Sequence, residues 1–250
     1  MLGTVDIKID HGVAEISFYS PQSNACDPDL LEQLIQAIED QQKQPSIRVI
    51  LLCSKGDKAF CGGASIKHLA AVKTLPEASH FFSGFGRLML AMKNSNKIIV
   101  TAVQGKAVGG GVGIIAASDY VIATDKAGLR LSELHIGIGP LVIAPAVIRK
   151  LGVASYSSLS LQPLAWKNAH WALEKGLFNE VIAAGENLKD RSHDFAQTLS
   201  NYTPKALVAM KKSLWHGCEN WEELLLENAL KTAQLSLSKE AQESFKKFNA

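Results

Sequence analysis

The chain has 250 residues, 47% of them apolar and 20% charged, with a formal charge of +2 and a pI near 8.3. That length buries a sizeable core and suits one large domain or a domain with a helical appendage. The near-neutral balance, with no Lys/Arg cluster interleaved with aromatics, excludes a nucleic-acid surface, and the lack of a long apolar run or of a basic-then-apolar start predicts a soluble, cytoplasmic chain with no membrane partner.

Val5 to Ile9 and Val13 to Phe18 alternate apolar and polar residues around Asp10-His11-Gly12, the pattern of a β-hairpin. Asp27-Pro28 reads as N-cap and first helical residue, followed by Leu30, Leu31, Leu34, Ile35 and Ile38 on one face of a helix ending before Pro45. Arg48 to Cys53 is a continuous apolar run, the form of a strand covered on both faces, and with the preceding helix it makes a βαβ unit. Leu75 to Met92 carries Phe81, Phe82, Phe85, Leu88, Met89 and Met92 at helical spacing. Such a stripe packs into the core or walls an acyl pocket, and the core is the commoner use.

Lys97 to Val103 is the next buried strand, Asp119 to Ala123 and Leu129 to Ser132 are further strands, and Pro140 is placed in the first turn of a helix that runs to about Lys150 and stops at Gly152. This repeated strand-then-helix order predicts a largely parallel sheet. Beyond Ala154 only Val181 to Ala184 reads as strand. Leu188 to Leu199, Lys205 to Trp215 and Trp221 to Phe245 have helical patterns, which pack on their own core or on a second copy of the chain.

Two stretches bare the backbone where strands hand over to helices. Ser54 to Ser65 contains Gly62 and Gly63, and V-Q-G-K-A-V-G-G-G-V-G (103 to 113) has three consecutive glycines before the apolar run Ile114 to Ala117. A helix start without side chains offers N–H groups to an anion or an oxyanion. If the two loops converge, they make a two-donor hole for a carbonyl oxygen gaining negative charge. A Rossmann reading of the second loop lacks its acidic residue, since Asp119 and Asp125 come too early. No G-x-S-x-G elbow points to a serine hydrolase.

Taken together, K-A-F-C-G-G-A-S-I-K (58 to 67), the run from Val103 to Asp119 and L-S-E-L-H-I-G-I-G-P (131 to 140) resemble the crotonase, or enoyl-CoA hydratase/isomerase, family. The resemblance covers residues from about 5 to 185 in motif order and the tail more loosely. It implies an α/β fold: a crotonase-like spiral of ββα units with parallel sheets over 1–187, and a C-terminal helical trimerisation region over 188–250. It also implies an acyl-CoA thioester substrate, no metal or cofactor beyond the coenzyme A that the substrate carries, and a homotrimer or dimer of trimers.

Carried over by position, the backbone N–H groups of Ala64 and Gly110 would hold the thioester oxygen and Glu133 would move protons. Gly62, Gly63, Gly109 and Gly113 would border the substrate, Lys67 would meet the CoA phosphates, and Asn24 and Ala25 would lie on the nucleotide side. The family's hydratases use two glutamates, and the first position here is Gly113. The resemblance therefore leaves three readings: hydration or dehydration by Glu133, with His68, His80, His135 or a substrate carboxylate assisting; isomerisation with Glu133 as sole proton shuttle; and acyl-CoA binding with little catalysis or another enolate reaction such as decarboxylation. The run from Ser132 to Gly152 also resembles members acting on branched or carboxylated enoyl-CoAs of the methylglutaconyl type, which favours hydration.

Plainer roles compete for several residues. A lone histidine beside a glycine loop is more often structural than catalytic. Cys61 has no basic partner in the sequence and reads as a small buried hydrophobe. Cys26, Cys53, Cys61 and Cys218 show no CxxC pair or regular spacing, which excludes a zinc site or a disulfide framework and reads as reduced thiols. Phe245 and Lys247 belong to an amphipathic face or cover a neighbour's adenine.

Overall fold

The computed structural model describes residues 3–249. Two antiparallel strands open it, β1 (Thr4–Asp10) and β2 (Val13–Tyr19), in register from Thr4↔Tyr19 to Asp10↔Val13. In α1 (Pro28–Lys43) the Asp27 carboxylate accepts the Leu30 N–H at 2.8 Å, and Pro28 sits where a helix needs no donor.

A ββα unit then recurs. β3 (Val49–Ser54) and β4 (Ala59–Cys61) lead to α2 (Ile66–Ala71) and α3 (Leu75–Asn94). β5 (Ile98–Val103) and β6 (Lys106–Val108) lead to α4 (Gly110–Ala116). β7 (Tyr120–Ala123) and β8 (Gly128–Arg130) lead to a 3-10 turn, Glu133–Ile136, and α5 (Ala144–Ser160). The remainder is β9 (Lys167–Asn168), α6 (Ala169–Glu174), β10 (Glu180–Val181), α7 (Leu188–Ser200), α8 (Pro204–Leu214), α9 (Trp221–Ser236) and α10 (Lys239–Asn249).

The first strand of each repeat joins a six-stranded sheet in the order β1-β2-β3-β5-β7-β10, and the second joins a four-stranded sheet in the order β4-β6-β8-β9. All pairings are parallel except β1 with β2 and β8 with β9. Each repeat thus advances both sheets by one strand, which is the ββα spiral expected from the motifs. Both faces of the larger sheet's inner strands β2, β3 and β5 are covered. Ile16, Ile50, Leu52 and Ile99 join the main core, whereas Val13, Val49, Leu51 and Val100 meet Ala196 of α7 and Leu207 of α8. Continuous apolar runs are the result.

The tail helices attach to their own chain. α9 packs along α3, and α10 lies over α2 and the 3-10 turn. Asp119, at the foot of β7, accepts the Lys211 ammonium at 2.7 Å, the Trp215 indole N–H at 2.6 Å and the Ile99 amide at 2.7 Å. Phe245 is completely buried in this chain's main core, so its ring is not presented to a neighbour's adenine.

Three expectations shift. The helix expected from Pro140 begins at Ala144, with Pro145 in its first turn, because residues 141–143 form a separate turn whose Leu141 carbonyl is held by Asn228 of α9 at 3.0 Å. Gly152 does break that helix, at φ 70°, but helical residues resume after it and run to Ser160. The single helix expected over Trp221 to Phe245 divides at Leu237-Ser238, where the Ser238 hydroxyl accepts the Ala241 N–H at 3.2 Å.

Candidate active site

Between the two glycine loops and the 3-10 turn lies a cavity of about 70 Å³. The loops do converge on it. A Cβ added to Gly63 would lie 3.5 Å from the Gly110 nitrogen and 2.6 Å from the Val108 carbonyl, so the two backbones touch.

Hydrogen bonding decides which N–H groups remain. The Gly62 amide donates to the Ser23 carbonyl at 2.9 Å, the Gly63 amide to Cys61 Sγ at 3.4 Å and the Gly109 amide to the Arg130 carbonyl at 2.9 Å. The bridge between Cys26 and Ala64 uses the Cys26 and Ser65 amides and leaves the Ala64 N–H out of the ladder. Gly110 is the first residue of α4, where an amide has no intrahelical acceptor. The Ala64 and Gly110 amides are thus not taken up by this framework and both residues line the cavity, whereas Gly111, which also lacks an intrahelical acceptor, does not line it.

Glu133 joins the lining at the start of the 3-10 turn. Its Oε2 is buried without a hydrogen-bond partner. Burial pushes its pKa up to about 7, slightly opposed by its own backbone N–H. The carboxylate is pressed against Gly109, where an added Cβ would come within 2.6 Å of Oε1. Gly109 also holds φ +52°, so both backbone conformation and space require glycine there.

Elsewhere the walls are apolar. Phe82 and Phe85 of the α3 stripe serve both as core and as wall, and Ile136, Ile138, Val142 and Ile143 close the rest. A Cβ on Gly110 would meet the Phe85 ring at 2.2 Å. Ser132 and Thr232 are the other polar wall residues, and the Thr232 hydroxyl already donates to the Asn228 carbonyl at 2.8 Å. The lining contains no Lys, Arg or His, so His68, His80 and His135 all stand outside it.

Two expected substrate contacts lie outside the lining of this cavity. Gly113 does not line the cavity, because it is buried one turn along α4, where an added Cβ would meet Ile143 Cγ2 at 2.4 Å. The Asn24 side chain is occupied as a brace, accepting the Ser20 amide at 3.0 Å and donating to the Lys55 and Ala59 carbonyls at 2.8 and 2.9 Å. Ala25 and Lys67 line a separate cleft with Asp27, Ser65 and His68, whose Nδ1 lies 2.9 Å from Ser65 Oγ. Cys61 is fully buried, 3.8 Å from the Cys26 sulfur.

A family model described as Enoyl-CoA hydratase/isomerase matches residues 8–249. The chain belongs to the enoyl-CoA hydratase/isomerase family. It is 29% identical over 209 residues to a carnitinyl-CoA dehydratase of Proteus mirabilis, covering 80% of this chain and 76% of that protein, and 27% identical over the same length to one from Escherichia coli K12. Among solved structures, an enoyl-CoA hydratase from Bacillus halodurans superposes with a TM-score of 0.89 at 23% identity, over 97% of this chain and 99% of that one. A Legionella pneumophila structure described as a putative enoyl CoA hydratase/isomerase gives 0.81 at 27%, over 100% and 97%. The chain is accordingly an enzyme of that hydratase/isomerase family.

Of the features now in view, sequence reasoning missed Ile143, Ser132 and Thr232. Ile143 carries no local signal, since it is one more apolar residue in the run Leu141 to Ala144. Thr232 has a faint one, a small polar residue on the buried face of α9.

Proposed function

We propose that the enzyme adds water to a 2-enoyl-CoA thioester, and removes it from the corresponding 3-hydroxyacyl-CoA, with Glu133 as sole acid and base. The observation that carries this reading is a buried carboxylate with one unpartnered oxygen, sharing a cavity with the Ala64 and Gly110 loops. The dehydratase and hydratase names of relatives and structural neighbours support it.

The thioester oxygen accepts the Ala64 and Gly110 N–H groups. Ionised Glu133 takes a proton from water as its oxygen bonds to the β carbon, and the displaced electron pair moves through the α carbon onto the thioester oxygen. Protonated Glu133 then returns that proton to the α carbon, so oxygen and hydrogen add on one face. A pKa near 7 suits a group that must both take and give a proton. Each oxyanion donor of this kind is worth on the order of 100- to 1000-fold in rate. Lys67 and Ala25, in the neighbouring cleft, are assigned to the nucleotide end of coenzyme A. A homotrimer is the assembly we expect, and exposed Leu226, Leu230 and Leu235 on α9 support an interface there.

One observation favours a second reading: Ile143 fills the space beside Gly113, leaving Glu133 as the single carboxylate in the lining. Such a site suits an isomerase that carries one proton between carbon positions. Absorbance of the conjugated enoyl thioester separates the two. Hydration predicts its loss in water, with Glu133→Gln folding and binding thioester but turning over about 1000-fold slower or worse. Conversion of 3-enoyl-CoA to 2-enoyl-CoA, with 2-enoyl-CoA itself left intact, selects the isomerase.

A further inference from the structure

We infer that the cavity admits only a short, uncharged acyl chain, and that Ile143 sets its length; this rests on the assignment of the cavity to the acyl part of the substrate. Its volume of about 70 Å³ is about five times the roughly 10–15 Å³ that one water needs. That is room for an acyl portion of about four or five heavy atoms.

The walls decide the charge. With no Lys, Arg or His in the lining, a carboxylate at the chain end would be buried without a cation. Its nearest charged companion would be Glu133, of the same sign. A cationic chain end would take Glu133 as its counter-ion and hold it in the ionised form, whereas the reaction needs that group free to accept and return a proton. The methylglutaconyl-type substrate suggested by the 132–152 run is thus disfavoured by the wall that the same run builds.

Length is set at one place. Ile143 lines the cavity while its Cγ2 occupies the position a Cβ on Gly113 would need, so the chain end stops against this side chain. Met89, whose sulfur lies 3.5 Å from the same point, backs it. Shortening Ile143 opens the cavity toward Gly113, which has no side chain to fill the gap.

Saturated thioesters test this without turnover. By calorimetry, butyryl-CoA is expected to bind at least about 100-fold more tightly than glutaryl-CoA or an acyl-CoA ending in trimethylammonium, and at least about tenfold more tightly than octanoyl-CoA. Ile143→Ala should narrow the octanoyl gap by about tenfold and leave the glutaryl gap in place. Ile143→Val moves it the same way, by less, and stands in should the alanine variant not fold. Glutaryl-CoA or the cationic thioester binding as tightly as butyryl-CoA overturns the inference, as does octanoyl-CoA matching butyryl-CoA. So does an octanoyl gap unmoved in both folded variants. If the preference holds while 2-butenoyl-CoA is not hydrated, the hydratase reading fails alone.

Discussion

Two carboxylates of this molecule, Asp119 and Glu133, are treated in opposite ways. Asp119 receives an ammonium, an indole N–H and a backbone amide, and thereby ties α8 to the edge of the spiral. Glu133, in the cavity wall, keeps one buried oxygen bare. A charge that is fully hydrogen-bonded holds elements together. A charge left bare destabilises the fold and is ready to accept a proton. The same residue chemistry serves architecture in one place and reactivity in the other, and the partners supplied make the difference.

The comparison breaks most visibly at Lys211. Lys211→Ala leaves Asp119 buried without its counter-charge and should cost about 3–5 kcal/mol, read as a lower midpoint in urea unfolding. Replacing both Lys211 and Asp119 by apolar residues of similar volume should recover much of it.

Glu133 should show the reverse sign. It keeps its proton to about pH 7 in the folded chain and only to about 4.5 when unfolded, so the folded state binds more protons between those values. Stability from this group is therefore present below about pH 4.5 and lost as pH rises through 7, by roughly 3 kcal/mol in all. Glu133→Gln should flatten that slope in unfolding curves taken from pH 5 to 8. Hydration rate should rise over the same interval with an apparent pKa near 7.

Gly109→Ala sharpens the contrast, because the added methyl needs the space of Glu133 Oε1 and a backbone that disfavours alanine. Displacing the base by about 1 Å should lower kcat about 100-fold while the Asp119 network stays intact. The smallest effect is expected at the cap of α10, where Ser238→Ala should cost about 1 kcal/mol in thermal unfolding.

Much of this was legible in the sequence. Asp27-Pro28 announced α1, the apolar runs announced strands covered on both faces, and the two glycine loops announced donors for an oxyanion. What could not be read depended on distant partners. Residues 141–143 form a turn because Asn228, far along the chain, holds Leu141. Asn24 looked available for substrate until its amide was found bonded to two carbonyls in the β3–β4 segment. The missing glutamate at Gly113 was visible as an absence, but that Ile143 fills the space belongs to packing alone.

The placement of α10 has a consequence for biosynthesis. Residues 239–249 cover α2 and the turn that begins with Glu133, and Ala241 lies so close to Gly137 that an added Cβ would reach its Cα at 3.0 Å. A ribosome finishes both donor loops and the base more than a hundred residues before it makes this cover. A nascent chain stopped short of Lys239 would carry Ala64, Gly110 and Glu133 without the helix that packs over the Glu133 turn, so the support of that turn is completed late in synthesis.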